Sequence, residues 1–549
     1  MSGNSGRNRL VGTLTRRWPT LAVVVAMLWM FYLRIRPYEN FLIGGEVYFS
    51  GNDAWYHLRQ VQYLVANFPQ RMPYDPWTGY PVGRFASQFG TLYDQLVAAA
   101  ALVIGLGSPT DQQVAIALLV APAVFGTLVA IPTYLIGRDL GDRTTGAVAV
   151  IILALLPGTF LRRGLVGFAD HNIVEPLFML LALWGLMLSL RVADGSDLDL
   201  SALRNRHWPT LVPPLRYGAL AGIATVLYIW AWPPGILLLG ILAIAMFITA
   251  GSDVIDGLDY WTRAVPVVAG MLVVVVFTLL RINEPGLGVT GSTFLQPLAA
   301  VAVLIGVVGL LALIWLIDSY DVEPVYGVVG LHVAAIVGLV FLAVVSPRIF
   351  GALTGSFEGI IGFGTGANIR TIGEAQPFVR GGDIAPIIRE YGLTFFVAAA
   401  SVIWLLASPL LRPASPRRLG LIVGGVSLTG IILALPVIPA SIGSVVGVPG
   451  AQVGFAIVAA LFIAGVVIAD HPPDRILFLV WVGIITAATF TQVRFNYYLA
   501  PGVAILAALL LVRIARSELL GLRSLASVRD LSVYQVLTVG AVVLLVLAP

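Results

Sequence analysis

Long apolar stretches separated by short polar interruptions dominate this chain. They fall near residues 18–33, 112–138, 144–161, 174–192, 217–232, 234–251, 264–281, 296–317, 327–345, 392–411, 419–437, 452–469, 474–490, 496–515 and 533–549. Most reach the roughly 17–25 residues a helix needs to cross a bilayer, so the pattern predicts an all-α polytopic membrane protein of about 13–15 helices. A shorter apolar piece at 93–107 is at the lower limit for spanning and reads as an interfacial or external helix.

The positions of the arginines set the expected orientation. Arg7, Arg9, Arg16 and Arg17 precede the first run, which places the N-terminus in the cytoplasm. Alternation then puts "GRDLGDR" (137–143), "LRPASPRR" and "RIARSELLGLRSLASVR" inside as well. Three polar loops open on the outer face: about 35–111, 162–173 and 346–391. The first run follows a basic stretch, as a signal peptide does, but no small-residue cleavage site follows it, so it reads as an uncleaved span. The sequence stops in an apolar run, "VLTVGAVVLLVLAP", which reads as the end of a span rather than a natural terminus.

Composition narrows the chemistry. Of 549 residues, 58% are hydrophobic and 11% charged, well below the charged fraction of soluble domains. There is no cysteine, which excludes thiol catalysis, thiolate metal sites and disulfides. All 32 basic residues are arginine, so a phosphate-loop lysine, a Schiff base and a lysine general base are excluded too.

The outer loops carry the candidate chemistry. "GNDAWYHLRQ" holds Asp53 and His57; an aspartate there also suits the start of a helix. "LVGFADHNIVEPLF" gathers Asp170, His171, Asn172 and Glu175 between oily flanks, where carboxylates are costly unless solvated or paired. Its oxygen and imidazole groups could ligate a metal: an oxygen-rich site suits Mg²⁺ or Mn²⁺, whereas one with several histidines would suit Zn²⁺ better. Arg163 precedes it and could neutralise a carboxylate or hold a phosphate. "GANIRTIGEAQPF" carries Thr371 and Glu374 amid glycine-rich segments that suit a mobile loop or a plain connector. "TQVRFNYYLAP" sets Arg494 at an outer span end near Tyr497 and Tyr498; a snorkelling arginine among interfacial tyrosines looks the same. Three carboxylates from separate loops on one side, Asp53, Asp170 and Glu374, would repel one another unless a cation sat among them.

These residues resemble the catalytic subunits of the oligosaccharyltransferases, the STT3/AglB/PglB family of GT-C glycosyltransferases, and among them the archaeal AglB-like members. The resemblance is carried by Asp53 in "GND", by Asp170 and Asn172 in the DxD-like "GFADHN", and by Thr371 and Glu374 in the TIxE-like "TIGE". Arg163 stands where the family has an arginine ahead of the second motif, and Arg494 is similar to its lipid-phosphate arginine. Two departures stand out. Asn172 occupies a place where relatives have His or Asp, and the sequon-binding WWDYG motif, which the family has in a soluble domain after the last span, is absent.

The resemblance implies a GT-C transmembrane domain over 1–549, with a multi-pass location in the cell membrane and an exterior-facing site. It implies transfer, with inversion, of a glycan from a dolichyl phosphate or pyrophosphate carrier to the asparagine of an Asn-X-Ser/Thr acceptor. Asp53, Asp170 and Glu374 would be catalytic. Those three, with Asn172 or His171, would hold Mn²⁺ or Mg²⁺; Arg494 and Arg163 would meet the lipid phosphate. His57, Glu175 and Tyr497 would support the site. The competing readings are another GT-C enzyme, transferring O-mannose or a lipid A sugar, and a transporter or flippase. The latter would more often show internal repeats and mid-span charges.

Overall fold

The computed structural model describes residues 3–517 except 87–89, 197, 199, 362–371, 380–382, 412–414 and 436. Among these, 12 helices are long and apolar enough to cross a membrane, or 13 if one bent pair counts as a single span. The expected span at 533–549 and Thr371 lie outside the described residues.

Helix α1 (Gly3–Ile35) leads into the first loop, which contains α2 (Asp53–Asn67), α3 (Leu92–Ile104) and two small antiparallel hairpins, 42–43 with 46–47 and 74–75 with 84–85. α4 (Asp111–Leu128) opens with a reciprocal capping box between Thr110 and Gln113, which satisfies amides that would otherwise be orphaned at a membrane-spanning helix start. It continues through a slight break into α5 (Ala130–Leu140). α6 (Arg143–Leu155) is capped by Asp142, whose carboxylate accepts from the Thr145 amide at 2.9 Å.

The expected span at 144–161 is broken rather than continuous. α6 has 13 residues, about 20 Å of helix, short of the roughly 30 Å hydrocarbon core. The chain breaks at Pro157 and Gly158, the latter at φ +87°, and restarts as α7 (Thr159–Arg163). That break turns Arg163 into the polar end of the bundle. The run near 392–411 differs similarly: Ala385–Tyr391 and Thr394–Ala407 meet at 92°.

α8 (Val174–Asp194) is largely enclosed by the rest of the bundle. A short α9 (Leu200–Arg204) precedes α10 (Trp208–Ala231), and α11 (Leu237–Asp256) and α12 (Trp261–Leu279) follow. α10 packs between α8 and α12. Its contact with α12 is a backbone crossing: a Cβ on Gly218 would meet the Pro266 carbonyl oxygen at 2.2 Å, and one on Gly222 the Gly270 oxygen at 2.4 Å. Glycines four apart allow helices to approach this closely without a solvent-driven force between them.

Pro324–Val345, Pro416–Ala434 and Gly450–Ile468 are apolar all round and largely exposed, which suits helices whose outer faces meet lipid. At the end of the bundle opposite the polar loops, ion pairs join distant connections. Arg191 reaches Asp139 at 3.2 Å and also pairs with Asp474, and Arg516 reaches Asp142 at 2.6 Å. The last pair brings together two segments that the arginine count assigned to one side.

Candidate functional site

The site begins with α2. Its buried face runs Ala54, His57, Gln60, Val61 and Leu64, at helical spacing, so an imidazole and an amide enter an apolar stripe. Buried His57 finds two carboxylates. Its Nδ1 lies 2.7 Å from Asp94 Oδ1 on α3, and its Nε2 lies 3.4 Å from Asp170 Oδ1. Burial disfavours a charged ring, but Asp94 and Asp170 outweigh it and raise His57 to about 9. Asp170, also buried, is held well below the usual carboxylate range: against its burial stand the two histidines.

Asp170 is extended, and His171–Ile173 then make one tight turn before α8. His171 Nδ1 lies 2.7 Å from Asp170 Oδ1 and 3.3 Å from His57 Nε2, while its Nε2 lies 3.1 Å from Glu175 Oε1. Each imidazole therefore has one nitrogen held by a carboxylate, Asp94 or Glu175, and turns the other toward Asp170. Carboxylates behind ligating histidines are a recurrent way of orienting metal ligands. His57, Asp170 and His171 present ligand atoms that all lie within 4.8 Å of one another. Separations of 2.7–3.4 Å are close to what three ligands about 2.1 Å from one ion would have, so these residues fit a divalent cation.

The arginines complete the charge balance. Arg163 Nη1 lies 3.6 Å from Asp170 Oδ2, and its Nη2 donates to Glu374 Oε1. Of its two expected uses, Arg163 shows the carboxylate one. The Glu374 segment is tied down by the Val493 amide, which donates to the Gln376 carbonyl at 2.8 Å. Arg494 follows directly and lies 5.3 Å over the Trp232 ring. Its Nε is buried without a hydrogen bond, and no carboxylate pairs with it among the described residues.

The other expected residues are placed as follows. Asn172 donates to Asp170 Oδ2, and its own oxygen lies 2.8 Å from the Tyr497 hydroxyl. Glu175 is fully buried and accepts from Tyr497 at 2.9 Å and from Tyr498. Asp53 stands on the first turn of α2, one turn before His57; its side chain is exposed and makes no hydrogen bond or ion pair among the described residues. The structure thus joins Asp170 to Glu374 through Arg163 and leaves Asp53 at the rim. Sequence reasoning ranked His57 as support only and missed Asp94. The signal for Asp94 was an isolated acid in the apolar run "LYDQLVAAAALVI".

A family profile described as "Oligosaccharyl transferase STT3, N-terminal" matches residues 20–377. The dolichyl-monophosphooligosaccharide–protein glycotransferase AglB of Haloferax volcanii is 46% identical over 98% of this chain and 52% of its own length. The dolichyl-phosphooligosaccharide–protein glycotransferase 3 of Archaeoglobus fulgidus is 27% identical over 73% of this chain and 46% of its own. This chain thus spans about half the length of the curated relatives it matches.

Among solved structures, the Archaeoglobus fulgidus oligosaccharyltransferase AglB, in complex with an inhibitory peptide and a dolichol-phosphate, superposes with a TM-score of 0.74. That match has 22% identity and covers 97% of this chain and 55% of that one. A complex of the Archaeoglobus enzyme with Zn and sulfate gives 0.65 at 20% identity, over 96% of this chain and 52% of that one. At such identity the structures speak for the fold. The profile and the Haloferax relative, agreeing along the chain, decide the family: this protein belongs to the STT3 oligosaccharyl transferases.

Proposed function

We propose that this chain is the membrane-embedded catalytic half of an oligosaccharyltransferase acting at the exterior face of the cell membrane. It transfers a glycan from a dolichyl monophosphate carrier to the asparagine of an Asn-X-Ser/Thr acceptor. The observation that carries the reading is the gathering of groups from separate loops around buried Asp170: His57, His171, Arg163 and, through Arg163, Glu374. The donor class follows from the name of the Haloferax relative.

The acceptor amide nitrogen attacks the anomeric carbon as the bond from that carbon to the phosphate oxygen breaks. The phosphate keeps the electron pair, the nitrogen loses a proton, and the configuration at carbon inverts. Glu374 and Asp53, the more exposed acids of the group, orient the acceptor amide and take up its proton. Arg494, stacked on Trp232 with an unused buried Nε, meets the charge that grows on the leaving phosphate. Asp170, His57 and His171 would hold a divalent ion, with Asp94 and Glu175 fixing the imidazoles. When bound, that ion supplies Lewis-acid stabilisation of phosphate charge. Of the two ions expected, two imidazole ligands favour Mn²⁺ over Mg²⁺, which prefers an all-oxygen shell.

The test is glycan transfer by the full-length enzyme, with dolichyl-phosphate-linked donor and paired peptides bearing Asn-X-Thr or Gln-X-Thr. Mass spectrometry should find the glycan on Asn alone. Modification of Ser or Thr with Asn untouched would move the chain to another transferase class.

A further inference from the structure

A second pair of arginines converges close to the site but takes no part in it. Arg281, just past the end of α12, lays its guanidinium 4.3 Å from the centre of the Trp230 ring. It donates to the Thr91 hydroxyl and, at 2.9 Å, to Gln95 Oε1. Arg71, from the loop after α2, reaches the same Thr91 oxygen at 3.5 Å. Two cations therefore share one neutral oxygen, and no carboxylate pairs with either among the described residues. Burial and the neighbouring Arg71 together pull Arg281 down to about 9, while burial lowers Arg71. A structural tether would need one arginine; two like charges packed together and partly desolvated repel unless an anion joins them.

The pair is also wired to the site. Thr91 and Gln95 flank Asp94, the partner of His57, on the first turn of α3. The Thr91 amide donates to the Trp230 carbonyl at 3.1 Å, and two residues on, Trp232 carries Arg494. The local backbone is clamped: a Cβ on Gly90, at φ +77°, would fall 2.1 Å from the Ala231 oxygen.

We infer that Arg71 and Arg281, with Thr91 and Gln95, form a second oxyanion site beside the transferase centre, distinct from Arg494, that takes a charged group of the glycan donor or of a membrane lipid. Guanidinium forks match carboxylate and phosphate geometry, and the indole under Arg281 presets its plane. The inference rests on the proposed donor class only for its first source.

The experiment uses the full-length enzyme in phosphatidylcholine vesicles, with one donor whose sugars carry a carboxylate and one whose sugars are neutral. Melting temperatures are also compared in vesicles with and without phosphatidylglycerol. If the donor supplies the anion, Arg281→Gln and Arg71→Gln each raise KM for the charged donor roughly tenfold, leave kcat and the neutral donor unchanged, and Arg281→Lys recovers part of the loss. If a lipid supplies it, phosphatidylglycerol raises the melting temperature of the parent enzyme and both glutamine variants lose that gain. Either result supports the site; KM for both donors and the lipid effect all unchanged in the variants overturn it. Should Arg281→Gln fail to fold, Arg71→Gln carries the same readouts. A parent enzyme inactive on every donor counts against the transferase reading, while the vesicle comparison still reports on this site.

Discussion

Glu374 is ion-paired with Arg163, a residue 211 positions earlier in the chain. The pair joins the 346–391 loop to the 162–173 loop and leaves the glutamate side chain 43% exposed. Solvent screening keeps such a pair to under about 1 kcal/mol of stability, so Glu374→Gln should barely move the melting temperature. Its effect should fall on transfer, with kcat down on the order of 100-fold if the carboxylate acts on the acceptor amide. A parallel fall in stability and activity would instead mark the pair as structural.

Asp94 touches His57 and belongs to no motif. If it orients the imidazole toward an ion, Asp94→Asn should weaken Mn²⁺ affinity by about 10- to 100-fold. Calorimetric titration of Mn²⁺ into the purified full-length enzyme would show it. An unchanged dissociation constant would remove Asp94 from the ion site.

Asp75 ties the 74–85 hairpin to α2. Its buried carboxylate accepts from Arg59 at 2.5 Å, Thr78 at 2.7 Å and the Trp77 amide at 3.0 Å. Burial alone would raise this group, but those donors lower it below its ordinary 3.8. A carboxylate depressed in the folded state contributes stability above its unfolded pKa and loses it as pH falls through the folded value. Asp75→Asn should therefore be less stable than the parent at pH 7, and the two should converge well below pH 3.8. Thermal unfolding followed across that range checks the sign.

The crossing of α10 and α12 predicts a strict demand for glycine. Gly222→Ala would press a methyl against a backbone oxygen that cannot swing aside, costing roughly 1–3 kcal/mol. Gly240→Ala on α11, where nothing lies within 4 Å, is the control and should be neutral or slightly stabilising. Equal melting temperatures for the two variants would show that the crossing tolerates separation.

Run length and arginine placement made the bundle legible, because lipid demands long apolar helices and leaves few alternatives. What they could not reveal was the break at Pro157 and Gly158, since an apolar run reads the same whether it crosses whole or in pieces. Asp170, His171 and Glu175 stood out because polar groups between oily flanks are costly. His57 did not, because a lone histidine on an amphipathic helix reads as ordinary burial until Asp94 and Asp170 are placed against it. Arg163 and Glu374 are joined only by tertiary packing. Asp53, the acid expected at the centre, lies one turn beyond it, an offset that sequence spacing cannot resolve.

The central claim, that the groups around Asp170 perform glycan transfer, is tested most directly by single-turnover glycopeptide formation at saturating Mn²⁺. The assay compares the full-length enzyme with its Asp170→Asn and His57→Ala variants, each shown to be folded. The parent should glycosylate the Asn-X-Thr peptide, and both variants should fall by at least about 100-fold. Transfer by folded Asp170→Asn at the parent's rate would contradict the claim.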